Sequence, residues 1–144
     1  MRTKIAAVAA TVLLAAGGAA LASVASASAA TDPPGGTWDH TWTTTDSKHG
    51  GTIQIEEHGD LIDLCDTAAD GVSPRVRMYA WSDATGYTYR YTLTASGGNG
   101  ACAVAQASDG GVYNLPENVN INCDLFLGPY PGEHRTQPTF LNDH

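Results

Sequence analysis

The chain has 144 residues, with 7 lysines and arginines against 15 aspartates and glutamates, for a formal net charge of −8. Such a balance excludes a protein that binds nucleic acid or an anionic membrane over most of its surface, because phosphate contacts need clustered cations. The length accommodates one domain large enough to bury a core without relying on metals.

Arg2 and Lys4 precede a charge-free, alanine-rich run from Ile5 to Val24, followed by Ala-Ser-Ala-Ser-Ala-Ala at 25–30. This pattern predicts a signal peptide over residues 1–30 with cleavage after Ala29 or Ala30, and hence a secreted, extracellular protein. A membrane anchor is the competing reading, disfavoured by the weak hydrophobicity of alanine and glycine and by the lack of a basic stop-transfer flank. Cleavage leaves Lys48, Arg75, Arg77, Arg90 and Arg135 as the basic residues of the mature part. No stable membrane association is expected after it. Residues 31–36, with Pro33-Pro34-Gly35-Gly36, read as a flexible lead-in, and 37–144 as a single β domain.

No window repeats apolar residues at helical spacing, whereas short alternating bursts recur. The expected fold is all-β: a single small antiparallel β-sandwich, or alternatively a small β-barrel. A strand is expected near Trp38–Thr45. Thr52–Cys65 reads as a hairpin turning at His58-Gly59, with His58 and Gly59 accepting the turn's backbone, Ile55 opposite Ile62, Ile53 opposite Leu64 and Thr52 opposite Cys65. Within it, Glu56, Glu57, Asp60 and Asp63, followed by Asp66 and Asp70, form an acidic run expected to be a solvated rim, with Asp66 and Asp70 as weak calcium candidates.

A second hairpin joins Arg75–Trp81 to Tyr87–Thr94 through Asp83–Gly86. Four loop residues would pair Ala80 with Tyr89, Met78 with Tyr91 and Val76 with Leu93 on an apolar face. The opposite face then gathers Arg75, Arg77, Tyr79 and Trp81 beside Thr88, Arg90, Thr92 and Thr94. Arg75, Arg77, Tyr79, Trp81 and Arg90 are the candidate binding residues. Guanidinium forks recognise carboxylate or phosphate and exposed rings stack on sugars, so the expected partner is an acidic glycan or an extracellular protein. The competing reading covers this face with loops and gives it only a structural role.

Ala101–Gln106 and Val112–Leu115 are expected short strands, and Val119–Leu127 alternates most regularly, with Cys123 inward. From Gly128 onward the tail is rich in turn formers. Cys65 and Cys102, both at strand ends beside loops, are the favoured disulfide, leaving Cys123 unpaired; the other two pairings and a reduced form stay open. His40, His49 and His58 lie nine apart, which matches no zinc spacing, and no nucleophile motif is present. No catalytic residue, metal or cofactor is therefore assigned.

The segments 59–71 (GDLIDLCDTAADG), 107–118 (ASDGGVYNLPEN) and 140–144 (FLNDH) resemble small uncharacterised exported proteins of actinobacteria. The resemblance covers most of the mature chain and implies origin and export, with no catalytic residues. It also implies an even cysteine set with one more in the C-terminal segment, yet 132–140 holds none, so Cys123 lacks that partner. The sequence thus points to an extracellular binding or interaction module, with a small secreted hydrolase or a protease inhibitor as the alternatives.

Overall fold

A computed structural model describes residues 32–144. The expected signal peptide lies outside these residues. Among the described residues no helix is long and apolar enough to cross a membrane.

Two antiparallel sheets face each other. Sheet A has the order β1-β2-β3-β6, built from β1 (His40–Thr43), β2 (Gly51–Glu56), β3 (Leu61–Asp66) and β6 (Cys102–Ala105). Sheet B has the order β5-β4-β7, from β4 (Pro74–Ser82), β5 (Gly86–Thr94) and β7 (Val119–Leu127). Its far edge is shared by β8 (Glu133–Thr136) and β9 (Thr139–Asn142), which pair with opposite ends of β7. The architecture is a β-sandwich with no closed barrel. The turn-rich tail thus supplies two strands as well, each only four residues long and separated by Gln137-Pro138.

The alternation of each strand decides what fills the space between the sheets. Ile53 and Ile55 from β2, Ile62 and Leu64 from β3, Val76 and Met78 from β4, and Ile121, Cys123 and Leu125 from β7 are all at most 1% exposed. Tyr91, Leu93, Leu115 and Phe140 belong to the same cluster. Burial of these side chains, each contributing about 1.5–3 kcal/mol, is what the strand periodicity encodes.

The first hairpin has the expected pairs Ile55–Ile62, Ile53–Leu64 and Thr52–Cys65. Its turn differs in one respect: the positive φ angles fall on Gly59 and Asp60, not on His58. Aspartate tolerates this region better than most residues, and here the conformation points its carboxylate at the Leu115 N–H, 2.8 Å away. The expected strand at Val112–Leu115 is absent. Gly110 and Gly111 both have positive φ and lead into a 3-10 turn over Gly111–Tyr113, and the Leu115 N–H is committed to Asp60. Leu115 itself is buried against the core.

Cys65 and Cys102 form a disulfide, and they are direct cross-strand partners in the β3–β6 ladder. Cys123 is buried and free, and burial pushes its thiol well above the ordinary range. The bridge closes a sequence separation of 37 residues. Replacing both cysteines by serine should lower stability by about 4 kcal/mol on the loop-entropy model, with the midpoint in urea as the readout; an unchanged midpoint would mean that the β3–β6 ladder holds without it. A second expectation concerns Gly132, where a Cβ would lie 2.1 Å from a Phe126 ring atom at a φ of +69°. Gly132→Ala should therefore destabilise by about 1–3 kcal/mol, whereas Gly35→Ala, which meets nothing within 4 Å, should not.

Candidate functional site

The outer face of sheet B carries the candidate residues, and its composition depends on one irregularity. Val76–Leu93 and Met78–Tyr91 pair as the sequence predicts, but the register then shifts, giving Tyr79–Tyr89, Ala80–Thr88 and Trp81–Tyr87. Arg90 is the extra residue of a β-bulge, two residues facing one across the ladder. Beyond it every side chain of β5 changes face. Tyr89 and Tyr87 therefore join Tyr79 and Trp81 outside, while Thr88 moves away from them.

Arg90 also leaves the expected cluster. Its Nη2 donates to the Asn114 carbonyl at 3.1 Å, beside the 3-10 turn, and its charge acts on buried Asp60. Arg75 is half-buried next to Phe126, its cross-strand neighbour on β7. Of the predicted constellation, Arg77, Tyr79 and Trp81 remain together on the open face.

What surrounds Arg77 is aromatic. Its guanidinium carbon lies 4.3 Å from the centroid of Tyr130, 5.0 Å from Tyr89 and 5.3 Å from Tyr79. Each such contact contributes about 0.5–1 kcal/mol at an exposed site. The adjacent carboxylate on β7, Asp124, is already taken: Arg135 grips it with two bonds of 3.0 and 2.6 Å, and the Gln137 amide adds a third at 3.2 Å. Arg77 thus keeps no ion pair among the described residues and organises three tyrosine rings.

The rings form two edge-to-face pairs, Tyr79 with Tyr89 at 5.8 Å and Trp81 with Tyr87 at 5.1 Å. Such geometry fixes the rings without covering their outer faces. Trp81, Tyr87, Tyr89 and Tyr130 remain 41%, 43%, 47% and 57% exposed, so loops do not cover this face. The Trp81 indole N–H reaches Asp83 at 3.3 Å, and the Tyr89 hydroxyl bonds Thr92 at 3.0 Å. Tyr87, Tyr89 and Tyr130 were missed in the sequence: the first two because of the bulge, the third because it sits in a loop among prolines and glycines.

Tyr130 also borders a cleft of about 660 Å³ between segments 46–48, 70–72 and 127–134. Asp46 is part of its lining. Burial is the largest influence on this carboxyl and raises its pKa, but bonds from the Thr44 hydroxyl and the Gly50 and Lys48 N–H groups outweigh it and hold the group below the ordinary range.

The acidic run is not the solvated rim expected of it: Glu57, Asp60, Asp63 and Asp66 are all buried. Glu57 accepts from His40 Nε2 at 2.6 Å and from the Asp143 N–H at 3.2 Å. Asp60 holds the Leu115 N–H and the Asn142 amide. Asp66 accepts the Ala68 N–H, and Asp70 the Val72 N–H, so both calcium candidates cap turns. His40 stacks on Trp42 at 5.0 Å, His49 bonds the Thr44 carbonyl, and His58 is exposed at the hairpin tip. Glu57, Asp143 and His144 are close enough to share an ion, although two of the three are exposed chain-end residues. No hydrogen bond among the described residues joins a hydroxyl or thiol nucleophile to a histidine backed by a carboxylate, the arrangement of a nucleophilic triad.

Burial raises the carboxyl pKa of Asp60 above its ordinary 3.8 despite two hydrogen bonds. Its contribution to stability is therefore fully present below pH 3.8 and is lost as pH rises through the raised value. Asp60→Asn, which removes the charge at every pH at the expense of one acceptor, should gain in melting temperature relative to the native chain as pH rises from about 3 to 7. A difference between the two curves that is constant over this range would contradict the assignment.

No protein-family model matches the chain, and no curated protein or solved structure is significantly similar to it.

Proposed function

We propose that the protein is a secreted binding module that holds an extended glycan across the outer face of sheet B. The observation that carries this reading is the set of four exposed rings on one open face, Trp81 and Tyr87 paired with each other and Tyr89 and Tyr130 set against Arg77. Scattered exposed apolar residues need no explanation, but several rings fixed in pairs on one sheet face do. Large rigid rings lose little conformational entropy on binding, and their apolar faces match the C–H faces of sugar rings while their hydroxyls meet the sugar's hydroxyls.

A protein partner is the second reading of the same surface. The glycan is favoured because the charged groups here are engaged internally, Arg135 with Asp124 and Arg77 within its tyrosine ring, so that rings and hydroxyls carry the recognition. The disulfide is compatible with export, since such bonds persist in oxidising surroundings.

Pull-down on insoluble cellulose, chitin and chitosan tests the proposal. Trp81→Ala and Tyr89→Ala should each weaken binding to the retained polysaccharide by about 2 kcal/mol, roughly thirtyfold, with only a modest loss of stability because both side chains lie outside the core. Thr41→Ala, exposed on β1 of the opposite sheet, should leave it unchanged. Equal retention of all three variants, or of none of the proteins on any support, would refute the assignment.

A further inference from the structure

The cleft beside Tyr130 differs in chemistry from the face it adjoins. Its lining includes apolar Val72, Leu127 and Pro131, and its volume of about 660 Å³ is ample for one or two sugar rings. Its charged groups are Asp46, Asp70 and Glu133 against Lys48 and His134. Three carboxylates therefore outnumber the one permanent cation. Asp46 is held ionised by its N–H donors, Asp70 spends one oxygen on the Val72 N–H, and the exposed Glu133 side chain has no partner among the described residues. Lys48 forms no ion pair with any described residue. Both arginines of this region, Arg77 and Arg135, lie against the Tyr130 ring. Tyr130 is common to the cleft and the aromatic face, so one ligand can occupy both.

Resting on the reading of sheet B as a glycan platform, we infer that this cleft receives a primary ammonium group of the same ligand, so that the glycan bound is one with free amino groups. An N-acetylated or hydroxyl-bearing sugar offers the cleft no charge, and an acidic one is repelled by it. The excess of carboxylates over basic residues favours the encounter with such a polycation at long range.

The test is calorimetric titration of the full mature chain with three soluble tetramers: of glucosamine, of N-acetylglucosamine and of glucose in β-1,4 linkage. The glucosamine tetramer should bind about tenfold more tightly than the other two, the scale of a charge-assisted contact, and its advantage should shrink with added salt. The Asp70→Asn, Glu133→Gln double variant keeps the acceptor that caps Val72 and should bind all three tetramers alike, with an unchanged melting temperature. Trp81→Ala should weaken all three together. Equal affinities in the native chain, or a preference that survives in the double variant, would overturn the cleft assignment while leaving the platform intact. Tetralysine binding as tightly as the glucosamine tetramer would overturn it in favour of a basic peptide, and no binding of any tetramer would overturn platform and cleft alike.

Discussion

One extra residue in β5 turns two aromatic side chains, Tyr87 and Tyr89, onto the open face of sheet B. Up to Met78 and Tyr91 the central hairpin follows strict alternation, with Val76, Met78, Tyr91 and Leu93 directed into the core. Accommodating Arg90 as a bulge shifts the ladder by one, and because side chains alternate faces every residue, Tyr89 and Tyr87 are turned outward beside Tyr79 and Trp81. Without the bulge, Tyr89 would lie opposite Ala80 on the core side and the outer face would hold only half its rings. Bulges also deform an edge strand so that it is a poor template for further pairing, which suits β5 at the end of its sheet.

The same face is completed from the other side of the sheet. Phe126 alternates outward on β7 yet is only 1% exposed, because the 128–132 loop folds over it and Gly132 passes where no Cβ fits. That passage sets Tyr130 edge-on to Phe126 at 5.9 Å and over Arg77. The Arg135–Asp124 pair lies alongside, largely buried, and breaking it would strand Asp124 without its counter-charge. Core packing, a glycine close approach and a satisfied ion pair thus converge on the position of one exposed tyrosine, which links the aromatic face to the cleft.

Where alternation governs, the sequence was legible. The registers of β2–β3, the extent of β7 and the inward Cys123 follow from which side chains must share a face, and the favoured Cys65–Cys102 bond from the position of both cysteines at strand ends beside loops. What escaped it depends on tertiary contacts. The bulge has no local signal, since Arg90 would fit a regular strand equally well. The buried carboxylates looked like a solvated rim because charge alone says nothing about partners; Asp60 and Glu57 are inside because Leu115, Asn142, His40 and Asp143 come from elsewhere in the chain to meet them. Val112–Leu115 has strand-like composition, yet two consecutive glycines with positive φ divert it. The candidate site was legible as to β4, with Arg77, Tyr79 and Trp81, and not as to its contributions from β5 and the 128–132 loop.

Amide and indole chemical-shift mapping on addition of a bound oligosaccharide tests the central claim, that the bulge-dependent aromatic face is the binding surface. The account predicts that the Trp81 indole N–H and the backbone amides of Arg77, Tyr79, Tyr87 and Tyr89 shift together, with Tyr130, while Trp42 and the His40–Glu57 neighbourhood stay still. Shifts centred on His40 and Trp42, with the β4–β5 amides unmoved, would contradict it.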